Sequence, residues 1–242
     1  MNLLLLTATA GEQDQLRESL GGLQRTVSTH RNTHHGKIFG HEATLVEGGI
    51  GAVNTAQALT AALNSRSFDG VLQTGIGGAY PSSGLTTGDV AVANEEIYGD
   101  LGIALPDRYA LADEIGIPVI DGDPPRFNRM PVDARLSDRA ETVARARSET
   151  SEYTTRRGPF VTVQQCTGCS SLASELEERF EGICENMEGA AAAHICALYD
   201  VPFAEVRGIS NIVEDRDFSK WDIPLATNRA QDVLLGLLEK LG

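Results

Sequence analysis

The chain has 242 residues and 41% hydrophobic content, enough for an ordinary core within one α/β domain spanning 1–242. Its formal net charge of −14 repels a phosphate backbone, and no Lys/Arg cluster relieves it, which argues against nucleic-acid binding. No apolar run approaches membrane-spanning length, and the apolar Met1-Asn2-Leu3-Leu4-Leu5-Leu6 start is too short and lacks the basic flank of a signal peptide, so a soluble cytoplasmic protein without a membrane role is expected.

Residues 2–7 read as a buried strand ending in Ala8-Thr9-Ala10-Gly11, followed by helical character from Glu12 to Leu20. Ile38 to Glu47 reads as a strand or hairpin arm running into Gly48-Gly49-Ile50-Gly51. Val53, Ala56, Leu59, Ala62 and Leu63 recur at helical spacing. Val71 to Thr74 is a short apolar strand, after which Gly75-Ile76-Gly77-Gly78-Ala79 reads as a glycine-rich turn. Another strand is expected over 89–93. Strand, helix and strand alternating with glycine turns imply an α/β domain with a largely parallel sheet. Residues 104–135 hold five prolines and read as a long irregular segment, of the kind usually functional or interfacial. Helices are expected over 136–147, from a Ser170 or Ser171 N-cap to Arg179, over 189–198 and over 225–241. Strands are expected over 159–163 and 203–207.

Few side chains in this pattern suggest chemistry. Glu12 follows the first strand, where ligands gather in open α/β sheets and a carboxylate can act as general base on water, but position alone favours a solvated first-turn Glu set against the helix dipole. Gly75 to Gly78 lets a ligand approach the backbone, but lacks the Lys-Ser/Thr of a P-loop and the spacing of a dinucleotide fingerprint. In Glu185-Asn186-Met187-Glu188-Gly189-Ala190 the Glu188 carboxylate opens an Ala-rich helix; two sugar hydroxyls would satisfy it there. Asn211, after Arg207-Gly208-Ile209-Ser210, offers an amide that can read a purine edge or make an ordinary Asx turn. The polar loop with Asp215, Arg216, Asp217, Lys220 and the single Trp221 reads first as an ordinary solvated loop, whose Arg and Lys could instead hold an acidic substrate group. The four cysteines read as buried free thiols, although Cys166 and Cys169 have redox or half-zinc spacing. The five histidines (30, 34, 35, 41 and 194) pair with no nucleophile, and neither metal nor cofactor is implied.

The order of these elements resembles the nucleoside phosphorylase/nucleosidase superfamily over almost the whole chain. Its specific parts are Asn186-Met187-Glu188-Gly189-Ala190 and Arg207-Gly208-Ile209-Ser210-Asn211. The resemblance implies a three-layer α/β/α fold with a mixed central sheet, in a homodimer or higher homo-oligomer acting on a small-molecule nucleoside. Glu188 matches the glutamate that binds ribose hydroxyls, with Met187 beside the sugar. Glu12 matches the glutamate that orients water, and Gly75, Ile76, Gly77 and Gly78 match the turn lining base and ribose. Asn211 matches the residue at purine N7, which is Asp in adenine-releasing nucleosidases.

Two departures refine the expectation. The phosphorylases carry a phosphate-binding Arg before the glycine-rich turn, where this chain has Gln73. Water is therefore the expected nucleophile. Asn211 can donate to O6 of a 6-oxopurine and accept from N7–H, which favours hypoxanthine over adenine. Together with the run from Ser210 to Pro224, this is similar to the futalosine hydrolase family, whose substrate carries a carboxylate that Arg216, Lys220 or an arginine of the 104–135 segment could bind. Asp215 is a candidate proton donor to N7. An adenine-releasing 5′-methylthioadenosine/S-adenosylhomocysteine or aminodeoxyfutalosine nucleosidase, and a purine nucleoside phosphorylase, are the alternatives.

Overall fold

A computed structural model of the chain describes residues 1–28 and 31–241; His30 falls outside them. Twelve strands and six helices follow one another along the described chain. Strand β1 (Asn2–Thr7) leads through a 3-10 turn at Gly11–Gln13 into α1 (Asp14–Ser19). Next come β2 (Gly21–Ser28), β3 (Arg31–Ile38), β4 (His41–Glu47), α2 (Ala52–Ser65), β5 (Gly70–Ala79) and β6 (Val90–Tyr98). The proline-rich segment carries the short strands β7 (Gly102–Ala104), β8 (Tyr109–Leu111) and β9 (Arg129–Pro131), and is less irregular than expected. Then follow α3 (Ala134–Ser148), β10 (Thr155–Thr162), α4 (Ser170–Phe180), β11 (Cys184–Asn186), α5 (Gly189–Leu198), β12 (Phe203–Ile212) and α6 (Ile223–Lys240).

The main sheet is mixed, in the order β11-β10-β6-β12-β5-β1-β4-β3-β2, with β9 also paired to β6. A further antiparallel pairing of β11 with β5 closes β5, β12, β6, β10 and β11 into a ring. The alternation of Leu3 and Leu5 against Leu4 and Leu6 shows how β1 serves two cores. Leu3 and Leu5 pack with α3 and α6 through Leu136, Val143, Leu234 and Leu237. Leu4 and Leu6 pack with α2 and α5 through Leu59, Ala192 and Ala193. Helices thus cover both faces of a mixed sheet, the α/β/α arrangement anticipated.

Three local expectations are corrected. Gly75 to Gly78 is not a turn: β5 continues through it to Ala79, paired with β12 on one side and β11 on the other. The glycines are there because side chains would not fit. A Cβ at Gly77 would meet Cys184 and the Glu185 carbonyl, and one at Gly78 would meet Val213. Asn211 likewise lies inside β12 rather than beyond it. In addition, α4 has Cys169 at its N-cap with no side-chain cap, because the Ser170 hydroxyl accepts instead from the Asp215 N–H.

Candidate active site

A cavity of about 620 Å³ opens where β1, β5 and β12 end, the usual place for a ligand in an α/β sheet. Glu12 reaches it from the turn after β1 and is 6% exposed. Its Oε2 accepts from the Thr9 N–H at 2.8 Å and the Thr9 hydroxyl at 3.0 Å; its Oε1 accepts from the Ile76 N–H at 3.0 Å. This approach depends on Gly75, since a Cβ there would strike Glu12 Oε1 and Arg207 Nη1.

Glu188, 4% exposed, immediately precedes α5. Its Oε1 accepts from the Gly51 N–H at 2.9 Å and its Oε2 from Arg207 Nη2 at 3.1 Å. Gly51 presents that N–H from the loop after β4 with φ of +89°, a conformation that favours glycine. Arg207 is buried, with Nη1 donating to the Ile76 carbonyl at 2.9 Å and Nε to Glu205 at 2.5 Å. Burial opposes its charge, but Glu205, Glu188 and Glu12 outweigh that and hold its pKa above the ordinary arginine value.

At its C-terminal end, β12 carries a one-residue bulge at Ser210: Ile209 pairs with Gly77, and Asn211 with Gly78. Since side chains alternate along a strand, the bulge turns Asn211 to the face opposite the buried Ile209 and into the cavity. Asn211 Nδ2 donates to the Ile212 carbonyl at 2.9 Å, and Oδ1 accepts from the Ser210 hydroxyl at 2.8 Å. One N–H and one lone pair remain. On the other side of Gly78 sits Glu185 of β11. Its Oε1 accepts from the Thr167 N–H at 3.0 Å; its Oε2 takes the Thr167 hydroxyl at 2.6 Å and the Tyr80 hydroxyl at 3.3 Å. Burial raises the Glu185 pKa above the usual carboxylate range, and Oε1 keeps a lone pair free.

The outer end is built from loop side chains. The Arg216 guanidinium lies 4.6 Å from the Phe218 ring centroid and 4.9 Å from that of Trp221. Cys166 Sγ lies 3.1 Å from Met187 Sδ, and both line the cavity. Cys166 and Cys169 are exposed, so only Cys184 and Cys196 meet the expectation of buried thiols.

The structure therefore brings Glu12, Met187, Glu188, Ile76, Gly77, Gly78, Asn211 and Arg216 to one cavity, with Gly75 immediately behind it. Lys220 is not among them. It pairs with Glu214 at 2.6 Å and lines a smaller adjoining hollow. Asp215 lines the same hollow and not the main cavity, and its Oδ1 accepts from the Ser170 N–H at 3.0 Å. Gln73 is buried and lines no part of the cavity; the arginine beside Glu188, Arg207, comes from β12 instead. Sequence reasoning passed over Glu185, Glu205, Arg207 and the Gly51 N–H. The charged residues at alternate positions 205 and 207 of an apolar strand were the available signal for two of them. Among the described residues, no group of three or more His, Cys, Asp or Glu could hold a metal ion.

Comparison with known proteins decides the family. A model of the phosphorylase superfamily matches residues 2–239. The chain belongs to that superfamily. It is 30% identical over 237 residues to the futalosine hydrolase of Acidothermus cellulolyticus, covering 97% of this chain and 89% of that protein. It is 28% identical to the 5′-methylthioadenosine/S-adenosylhomocysteine nucleosidase of Haemophilus influenzae (strain PittGG), over the full length of both. The Neisseria meningitidis nucleosidase, solved with methylthio-immucillin-A, shares the fold with a TM-score of 0.85 at 21% identity, covering 99% of each chain. Within the superfamily, this chain is an N-glycosidase. No helix among the described residues is long and apolar enough to cross a membrane.

Proposed function

We propose that the protein is a nucleoside hydrolase that releases hypoxanthine from a 6-oxopurine nucleoside, with futalosine as substrate and dehypoxanthine futalosine as the second product, in menaquinone biosynthesis. The observation that carries this reading is the flanking of Gly78 by an amide and a carboxylate. Neighbouring strands lie about 4.8 Å apart, so Asn211 and Glu185 stand about 10 Å apart across β5, room for a purine over the glycine. A 6-oxopurine offers an acceptor at O6 and a donor at N1–H. The spare N–H of Asn211 meets O6, its spare lone pair meets N7–H, and the free lone pair of Glu185 meets N1–H. Adenine presents acceptor N1 to that same carboxylate, a mismatch that leaves a buried group unpaired.

Glu188 takes the ribose 2′ and 3′ hydroxyls beside Met187. Glu12, held by Thr9 and Ile76, orients water below the anomeric carbon and removes its proton as the glycosidic bond breaks. The electron pair of that bond leaves with the base, which Asn211 stabilises as N7 gains a proton from solvent. Two observations support water over phosphate. Arg207 is already engaged by Glu205 and Glu188, and an anion beside it would face both Glu12 and Glu188. Arg216, set against Phe218 and Trp221, suits the aromatic carboxylate of futalosine. We read the chain as one cytoplasmic domain. Exposed Ile50, at the cavity mouth, and Val53, at the start of α2, support a homo-oligomer that covers them.

A second reading has its own support: at 28% identity over full length, the Haemophilus influenzae nucleosidase is nearly as similar, and that reading predicts release of adenine from 5′-methylthioadenosine. The test is base release from futalosine, inosine, adenosine and 5′-methylthioadenosine, with and without phosphate. Phosphate-independent hypoxanthine release is expected, with Asn211→Asp shifting preference toward adenine nucleosides. Adenine as the only base released by the wild type overturns the 6-oxopurine reading; dependence on phosphate overturns hydrolysis.

A further inference from the structure

Beneath the sugar end lies a group of charges that the hydrolysis never touches. Glu96 on β6 and Glu205 on β12 are both completely buried. Their carboxyls converge on Gly189, the first residue of α5, where a Cβ would collide with both. Glu96 Oε2 accepts from the Thr162 hydroxyl at 3.1 Å and from Asn186 Nδ2 at 3.2 Å. Glu205 Oε1 accepts from Arg207 Nε. The two remaining oxygens, Glu96 Oε1 and Glu205 Oε2, have no hydrogen-bond partner. Two ionised carboxylates that converge on one buried glycine repel each other strongly, and an unmet buried oxygen is costly.

We propose that Glu96 and Glu205 share one proton, carried by Glu96 and donated to Glu205, and that the pair acts as positioning residues for Glu188. A single proton meets both orphan oxygens at once. It also leaves Glu205 negative for Arg207. Burial first, and the Glu205 charge second, push the Glu96 carboxyl well above its ordinary range, in keeping with a retained proton.

The pair reaches Glu188 by two routes. Through Arg207, the bond to Nε fixes a planar guanidinium whose Nη2 then points at Glu188 Oε2. Through Asn186, the amide that donates to Glu96 uses its Oδ1 to accept from the N–H groups of Glu188, at 3.0 Å, and Gly189, at 2.8 Å. Side chain and backbone of the sugar-binding residue are therefore both anchored on the same proton-sharing pair. The inference rests on the reading of Glu188 as the ribose-binding residue. The groups facing the pair are Arg207 from its own strand β12, Thr162 from β10, Asn186 and Cys184 from β11, Tyr98 further along β6, and Glu188 from the start of α5.

The experiment compares Glu96→Gln, Glu96→Ala and Glu205→Gln with wild type. A glutamine at 96 places an N–H where the proton lay and keeps the carbonyl for Thr162 and Asn186. Glu96→Ala and Glu205→Gln are expected to lower kcat/KM by about tenfold or more, whereas Glu96→Gln recovers it to within about twofold at neutral pH. A raised folded-state pKa gives stability that is complete below the ordinary carboxyl pKa and is lost as pH rises through the folded value. The thermal midpoint of wild type should therefore fall with rising pH relative to that of Glu96→Gln, and its kcat/KM should share that alkaline loss.

Infrared spectra of the wild type should also show a protonated-carboxyl stretch that Glu96→Gln lacks, a readout that needs no alanine variant to fold. Two results overturn the inference: a folded Glu96→Gln as impaired as Glu96→Ala, or identical pH profiles and carboxyl bands for Glu96→Gln and wild type. Should the wild type release no base from any nucleoside, the hydrolase reading fails. The melting and infrared comparisons still decide the proton in that case.

Discussion

The two ends of the cavity are built in opposite ways. At the sugar end, Glu12, Glu188 and Arg207 are buried, and their polar atoms are met by backbone N–H and C=O groups from three separate strands and loops. At the outer end, Arg216 leans on the exposed Phe218, and Lys220 pairs with Glu214 in solvent. A buried, hydrogen-bonded cluster fixes geometry before substrate arrives, which is what the proposed general base and sugar clamp require. A wet cluster of long side chains adapts and contributes affinity in smaller steps. Under the proposed function, bond cleavage belongs to the rigid end and choice of substrate tail to the adaptable one.

The largest expected effect falls at the rigid end. Glu12→Gln keeps the shape of the carboxylate but not its basicity, and base release should drop by about 10²–10⁴-fold with little change in melting temperature. An unchanged rate would place the base elsewhere. Glu188→Ala should cost both function and stability. It strips Arg207 Nη2 and the Gly51 N–H of their partner, and breaking a buried ion pair from one side typically costs about 3–5 kcal/mol. Calorimetry alongside KM for the nucleoside measures the two losses together.

Arg216→Ala should raise KM about tenfold for a substrate with a terminal carboxylate and spare nucleosides that lack one. Equal losses on both would erase the division between the ends. Lys220→Ala should change KM no more than about twofold, since its partner is an exposed Glu214. Between the two ends, Glu185 supplies a pH test. Its pKa is raised by burial, so hypoxanthine binding should weaken as pH falls through a range above that of an ordinary carboxylate. Loss of the N1–H acceptor is the cause, and 1-methylhypoxanthine should not show the effect. Titration calorimetry with both bases makes the comparison.

Much of this architecture is legible in the local pattern of residues. Leu3 to Leu6 announce a strand buried on both faces, because four consecutive apolar residues leave no side for water. The Ala-rich run from Gly189 marks α5 to the residue, and it is the resemblance to the superfamily that implies one pocket for Glu12, Glu188 and Asn211. Local pattern fails where glycine reads as a turn signal. In Gly75 to Gly78 the glycines serve a strand that touches Glu12 on one side and β11 on the other, contacts made by residues distant in the chain. Lys220 is misplaced by sequence for a similar reason, since proximity to Arg216 along the chain says nothing of which way a loop side chain turns.

Residue chemistry can be read along the chain: an acidic protein with a carboxylate after the first strand, a Met-Glu pair opening a small-residue helix, and an amide instead of an acid at 211. That Glu185 faces Asn211 across Gly78, and that Glu96 and Glu205 meet over Gly189, follows from the folded chain alone. Both juxtapositions depend on the closing of the ring by β11 or on a crossover between distant strands. Strand pairing of that kind is a matter of long-range register, which no local period in a chain records.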